Sequence, residues 1–388
     1  MPRVNPEILR WARETAGLSP DEAARKLGMS GETAIDRLAA LEKGVRDPTR
    51  AMLANMAEKY HRPLLTFYLP KPPLKSDKGQ DFRTLPEAPP PGANVLLDAL
   101  LRDVEARQGL VRAALEEAED DEPLAFVGSA NITDGVDAVV ASMRTILGVS
   151  LEKFRQQRTA DDAFKLLRGG AEGAGVFVLL MGNLGSHHTD IDARVFRGFA
   201  LADSVAPFVV VNEKDSRAAW SFTLLHELVH LWLGQTGVSG YDGEGEIEKF
   251  CDTAAARYLL DLRELSELRV ESPANLDELK NQIDEFAWRR NLSRKMIAYN
   301  LLRSGLIPAA TYRQLSDLLD AERSTIRSNV GEGGANYYVV RRHRVGPALV
   351  DVVRRMMAGG TLSTTEAGRV LGVKPTNVTR LLETDRAV

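Results

Sequence analysis

FTLLHELVHLWLG, residues 222–234, is the stretch from which the rest of the chain can be read. It carries His226-Glu227-Leu228-Val229-His230, a His-Glu-x-x-His sequence inside a strongly apolar run. On an α-helix, positions i and i+4 lie on one face about one turn apart, so both imidazoles reach the same ion. Glu227 sits beside the first histidine, where its carboxylate meets a water rather than the ion. Two histidine ligands and a glutamate general base are the arrangement of a zinc hydrolase. Phe222, Leu224, Leu225, Leu228, Val229, Leu231, Trp232 and Leu233 make the helix apolar nearly all round, which predicts a buried central helix. Histidine and glutamate inside such a helix are costly to bury unless they are paired or hold a metal. Gly234 is the stop signal.

The 388 residues suffice for two or three domains with sizeable cores, and 44% hydrophobic with 27% charged residues is a soluble globular composition. A net charge of −4 argues against a chain that coats nucleic acid along its whole length, while leaving room for a local basic surface. Cys251 is the single cysteine, which excludes an intramolecular disulfide framework and fits a reducing cytosol. The opening MPRVNPEILRWARE has no basic segment followed by an apolar one, and no apolar run approaches the roughly 20 residues of a membrane span. A soluble, cytoplasmic protein without a membrane partner is expected.

Upstream of the motif, β-rich stretches at 175–180, 196–201 and 207–212 predict a small sheet, and Asp215 or Ser216 caps the motif helix. The connector holding His187 and His188 reads as a solvated loop rather than as metal ligands. Further back, Leu97, Leu100, Leu101, Val104, Leu110, Val111 and Leu115 recur at helical spacing in a long helix over 94–119, followed by helices near 134–147 and 161–168. Residues 71–93 are a linker, with Pro72, Pro73, Pro86, Pro89, Pro90 and Pro91 resisting helix and sheet.

Residues 1–70 read as a compact helical unit. Asn5 caps a helix with Pro6 at its first position, Ser19 and Pro20 open a second that Gly28 ends, and a third runs from about Thr33 to Leu41. Short helix, tight turn, short helix is the order of a helix-turn-helix. The candidate recognition helix sets Glu32 and Asp36 against Arg37 and Lys43, so a DNA reader and a partner-binding bundle both stay open.

Zinc in a hydrolase usually takes three protein ligands and one open position. After His230 the only histidine is His343, within the basic run 341–344, so a carboxylate is favoured as third ligand. The helix near 245–260 carries Glu248 and Asp252 on one face, followed by Ala255. Glu248 is chosen as the third ligand, with Asp252 one turn on as the acceptor that orients a ligand imidazole. Glu246 is the main rival, and Asp242 and Glu244 lie in a Gly-rich loop.

The segment from Phe196 to Leu260 resembles the ImmA/IrrE family of metallopeptidases in FRGFAL (196–201), APFVVVN (206–212), the motif helix and EIEKFCDTAAARYLL (246–260). That family places its third zinc ligand on a Glu four residues before an Asn in a Glu-x-x-x-Asn-x-x-Ala helix. These positions are Glu248 and Asp252 here, so an acceptor is kept and an amide donor is lost. The usual closing Pro is absent, with Asp261 in its place. The N-terminal unit resembles Cro/phage-repressor-type (Xre-like) domains, with Glu42 to Pro48 as the Glu-x-Gly-x-x-x-Pro-like stretch. HRPLLTFYLP (61–70), Asp81-Phe82-Arg83 and the C-terminal pattern extend the likeness to the long, helix-turn-helix-bearing members. The resemblance implies a zincin-like metallopeptidase domain holding Zn2+. It also implies a transcriptional repressor or similar regulator as substrate, with a role in stress response or mobile-element control.

Downstream, further helices are expected over 276–288 and from Ser293, and Gly331 to Gly334 marks a boundary. LSTTEAGRVLGVKPTNVTRLLE (362–383) repeats the short-helix, Gly-turn, short-helix pattern, as a DNA reader or a packing element. The expected architecture is mainly α with a small β-sheet (α+β). Its parts are a helix-turn-helix domain (1–70), the Pro-rich linker (71–93), a metallopeptidase domain (94–330) and a helical, helix-turn-helix-like region (331–388). The expected function is a zinc-dependent endopeptidase with His226, His230 and Glu248 as ligands, Glu227 as catalytic base and Asp252 behind them. The alternative is a DNA-binding regulator or antitoxin-like protein that uses the same fold as a sensor or interaction module.

Overall fold

A computed structural model describes residues 4–31, 33–73, 80–81, 93–186, 189–239, 245–270, 275–329 and 336–383. Glu32, Phe82, Arg83, the prolines at 86–91, His187, His188, Asp242, Glu244 and Gly331 to Gly334 lie outside the described residues. The mainly helical α+β class expected from the sequence is observed. No described helix is long and apolar enough to cross a membrane.

The N-terminal helices are α1 (Pro6–Thr15), α2 (Pro20–Lys26), α3 (Ala34–Glu42) and α4 (Arg50–Lys59). Asn5 Oδ1 accepts from the Glu7 N–H at 3.0 Å, and Ser19 with Glu22 forms a capping box, so the first two starts are fixed by local chemistry. Ile8, Leu9, Ala12, Leu38, Leu53, Met56 and Phe67 form a core of their own. Arg13 ties α1 to α3 through a two-pronged pair with Glu42, at 2.7 and 3.0 Å. Glu42, the first residue of the Glu-x-Gly stretch, is thus turned into the bundle.

The remaining helices are α5 (Ala93–Glu117), α6 (Val136–Leu147), α7 (Leu151–Arg155), α8 (Ala160–Gly173), α9 (Arg217–Trp232), α10 (Glu246–Leu259), α11 (Leu276–Arg290), α12 (Arg294–Arg303), α13 (Ala309–Asn329), α14 (Tyr337–Val345), α15 (Pro347–Gly359), α16 (Thr364–Leu371) and α17 (Val378–Glu383). Among them runs one sheet of β1 (Gln80–Asp81), β2 (Phe177–Leu180), β3 (Gly198–Leu201), β4 (Phe208–Val211) and β5 (Gly237–Ser239), in the order β1-β5-β3-β4-β2. β3 is antiparallel to β4 and β5, while β2 runs parallel to β4 and β1 parallel to β5. β2, β3 and β4 are the strands expected from the sequence, with β2 at one edge of the sheet. β5 and β1 are additional, and with three and two residues they are too short to carry a readable alternation.

Every residue of β2, β3 and β4 is buried, because helices cover both faces of the sheet. Val178, Leu180, Ala200, Val209 and Val211 face a core shared with α6 and α8 to α13. Their neighbours Phe177, Leu179, Phe199, Leu201, Phe208 and Val210 face a second core built with α5 and α14 to α17. The period of two is therefore present, but both phases are apolar, since neither face meets water. Residues 337–383 share their core with α5 and the sheet.

Candidate metal centre

α9 is held at both ends by backbone chemistry. Ser216 occupies the N-cap position without a side-chain cap bond; its own N–H is taken by Asp215 Oδ1 at 2.7 Å. At the far end Gly234 has φ +64, and the Gln235 N–H returns to the His230 carbonyl at 2.8 Å, so the glycine conformation closes the helix. The N–H groups of Gly128 and Ala130 then satisfy the carbonyls of Leu231 and Trp232 at 2.9 and 3.0 Å. Gly128 and Gly234 pack back to back, with a Cβ at Gly234 reaching 3.1 Å from Gly128 Cα. Trp232 is fully buried and donates its indole N–H to Ser142 on α6 at 3.0 Å.

α10 lies against α9 along its Ala254-Ala255-Ala256 run, and the small side chains allow the close approach. The Tyr258 hydroxyl fixes its far end by donating to the Val149 carbonyl at 2.7 Å. Glu248 and Cys251 fall on the buried face of this helix, and Asp252 is at its edge.

The packing brings three donors to one point. His226 Nε2 is 3.2 Å from His230 Nε2 and 3.2 Å from Glu248 Oε2, and His230 Nε2 is 3.0 Å from Glu248 Oε1. Donors about 2.0–2.1 Å from a tetrahedral ion sit roughly 3.3 Å apart, so this triangle fits one face of such a site. Exposure is 5% for His226, 0% for His230 and 2% for Glu248, so the donors are held away from bulk water. On the far side of the first ring, His226 Nδ1 is 2.9 Å from Asp252 Oδ1.

The charges are strongly coupled. Burial alone would strip His226 of a proton, but hydrogen bonds to Asp252 and Glu248 outweigh it and raise its pKa well above the ordinary value. Burial dominates at His230 and lowers its pKa, with the neighbouring His226 acting in the same direction. Burial opposes ionisation of Glu248, yet hydrogen bonds from both histidines hold its carboxyl down at about 2.

Glu227 is fully buried on the side of α9 that faces the sheet. Its Oε1 would stand 2.7 Å and its Cγ 2.9 Å from a Cβ at Gly198, and Thr223 Cγ2 would stand at 2.7 Å. Only glycine leaves room there for both side chains against β3. β3 is set at that height by Asn212, whose buried amide donates to the carbonyls of Ile191 and Phe196 at 3.1 and 3.0 Å.

Cys251 was singled out in the sequence only as the lone cysteine. It is buried and its sulfur lies 3.8 Å from His230 Nδ1, so it belongs to the surroundings of the site. His226, His230 and Cys251 form a group whose ligand atoms lie within 4.8 Å of one another, making the thiol a rival third donor. The carboxylate faces both Nε2 atoms, whereas the sulfur faces the opposite nitrogen of one ring. An ion placed between the two Nε2 atoms would have Glu248, not the thiol, on its side of both rings. Burial and the charges of Glu248, Glu227 and Asp252 also push the thiol pKa well up, against the thiolate a metal requires. The signal for Cys251 was its place three residues after Glu248 on one helix face.

Glu246, the rival carboxylate, is exposed at the start of α10. His343 stands apart from the donors, beside Trp220 at 6.5 Å between ring centres. The cations near α12 are engaged by acids: Arg290 with Glu264 and Glu267, Arg294 with Asp284 and Glu322, Lys295 with Asp320.

A family model described as Peptidase_M78, IrrE N-terminal-like domain, matches residues 175–302, from just before β2 into α12. The match supports the ImmA/IrrE family and a metallopeptidase, and it contains both helices that carry the donors. No curated protein and no solved structure matches the chain.

Proposed function

We propose that the chain is a zinc-dependent endopeptidase that cleaves a cytoplasmic regulatory protein, with a transcriptional repressor as the substrate class. The observation that carries this reading is the convergence of His226 Nε2, His230 Nε2 and the Glu248 carboxylate within 3.2 Å of one another. The family match over residues 175–302 supports it.

His226, His230 and Glu248 are the residues that would hold the ion, a donor set that suits a zinc hydrolase. When bound, the ion supplies Lewis-acid polarisation of the scissile carbonyl and lowers the pKa of a water. Asp252 accepts from His226 Nδ1–H, which turns Nε2 toward the other donors and fixes the ring. Glu227 takes the proton from the attacking water and passes it to the leaving amine. Its carboxylate is pressed against the Gly198 backbone, so it works from a fixed position rather than a mobile rotamer. The repressor as substrate, and a role in stress response or mobile-element control, are what the resemblance of most of the chain to the long, helix-turn-helix-bearing members of the family implies.

The test is capture with Glu227→Gln, which keeps the donors and removes the base. Regulators retained by this variant are then offered to the wild-type chain. Cleavage that depends on Glu227 and stops on chelation supports the reading. Captured regulators left intact by the wild type, with zinc bound, contradict it.

A further inference from the structure

The peptidase reading leaves the C-terminal helices without a role, and the LSTTEAGRVLGVKPTNVTRLLE stretch (362–383) folds there as two short helices around a glycine turn. α16 opens with a Ser363–Glu366 capping box and ends at Gly372, φ +63. A 3-10 turn at Pro375–Asn377 then runs into α17. α15 packs against α16, completing the three-helix setting of a helix-turn-helix. α17 buries Val378 and Leu381 and leaves Thr379 exposed, and Thr376 is exposed in the 3-10 turn before it.

The turn is built on two buried guanidiniums. Arg341 Nε donates to the Leu371 carbonyl at 2.8 Å, and Arg107 Nη1 to the Val370 carbonyl at 3.3 Å. A Cβ at Gly372 would stand 1.6 Å from Arg341 Nη2 and 2.8 Å from Arg107 Nη2, so the glycine is required on steric as well as conformational grounds. Burial, then the charge of Arg107, pushes the Arg341 pKa down to about 10, which leaves it charged at neutral pH. Asp103 pairs with Arg107 at 2.6 Å. Over this base, Arg369, Gly372, Lys374 and Asn377 line a cleft of about 500 Å3 with Tyr337 and Asp103.

Neighbouring cations are engaged: Arg344 with Glu213 at 2.6 Å, Arg354 with Asp351 at 2.9 Å, Arg355 with Asp120 at 2.7 Å, and Arg380 over the Tyr338 ring at 4.6 Å. Arg369 and Lys374 are exposed at the turn and, among the described residues, form no ion pair. Between Glu366 and Glu383 the sequence holds no acid. A turn with buried guanidiniums beneath it, two exposed cations at its rim outside any described ion pair, and the exposed threonines Thr376 and Thr379 beside Arg380 is complementary to a phosphate backbone, with Glu383 at the far end of α17.

We propose that the α16–α17 turn binds the backbone of duplex DNA, with Arg369 and Lys374 on phosphate oxygens and Thr376 and Thr379 turned toward the groove. This goes beyond the peptidase reading and stands independently of the metal.

The test is fluorescence anisotropy of the full chain carrying Glu227→Gln, so that cleavage plays no part, with a labelled mixed-sequence duplex. Binding is expected at low salt and is expected to weaken as salt rises. Lys374→Ala and Arg369→Ala are each expected to weaken it uniformly across sequences and to reduce the salt slope by about 1, at unchanged melting temperature. The double variant Arg369→Glu/Lys374→Glu is expected to lose roughly tenfold or more. No binding of duplex at low salt, unaltered binding by the double variant, or a preference for single-stranded RNA overturns the proposal.

Discussion

His226 Nδ1 lies 2.9 Å from Asp252 Oδ1 on the neighbouring helix, and this contact settles which ring nitrogen of His226 faces Glu248 and His230. Asp252 is about a quarter exposed while the donors are buried, so the carboxylate reaches inward from the rim of the site. Asp252→Ala is expected to lower metal affinity by about 10- to 100-fold, the usual cost of losing such an orienting partner. Asp252→Asn, which keeps an acceptor, is expected to fall between the two. Competition with a chromogenic chelator measures both.

Metal uptake should release a proton. The raised pKa of His226 leaves the metal-free site protonated there at neutral pH, whereas His230 is kept neutral, mainly by burial. The sign follows: a raised histidine contributes stability to the metal-free fold below its unfolded pKa and loses it as pH rises through the folded value. Metal affinity should therefore increase with pH across that range, because the competing proton leaves. Calorimetry in buffers of different ionisation enthalpy counts the released protons. A pH-independent affinity contradicts the assignment.

Gly198→Ala places a methyl 2.7 Å from Glu227 Oε1 and Thr223 Cγ2. Overpacking of this kind costs about 1–3 kcal/mol. Because one of the two neighbours is the proposed base, turnover should fall more than thermal stability, with zinc content unchanged. Parallel melting curves, metal analysis and cleavage rates separate these effects.

The Arg13–Glu42 pair is buried, with 9% exposure on each side chain. Glu42→Ala leaves the guanidinium without its carboxylate and is expected to destabilise the N-terminal bundle by about 3 kcal/mol. Denaturant titration of the full chain should show an early transition, while the metal centre, which belongs to a separate core, keeps its occupancy.

The legible parts of the sequence were those written in local chemistry. Asn5-Pro6 and Ser19-Pro20 announced helix starts through their own side chains, and Gly234 announced a stop through its φ. The His-Glu-x-x-His spacing placed two imidazoles on one face of α9, and Glu248 with Asp252 could be put on one face of α10 by the same period. What could not be read depends on contacts between distant segments. That Gly198 must be glycine because Glu227 lies across it requires β3 and α9 to be docked. The engagement of Arg341 with the end of α16 joins residues thirty apart. The sheet looked like a minor element because its strands are four residues long, yet their apolar runs on both phases reflect a layer covered on each side. Cys251 escaped because a lone cysteine reads as a small apolar residue until its distance to His230 is known.

The most direct test of the central claim is zinc stoichiometry in the wild type, Glu248→Ala and Cys251→Ala, measured beside cleavage of a captured regulator. The account predicts one zinc per chain in the wild type and in Cys251→Ala, and loss of zinc together with cleavage in Glu248→Ala. Full zinc occupancy in Glu248→Ala, with loss in Cys251→Ala, contradicts it.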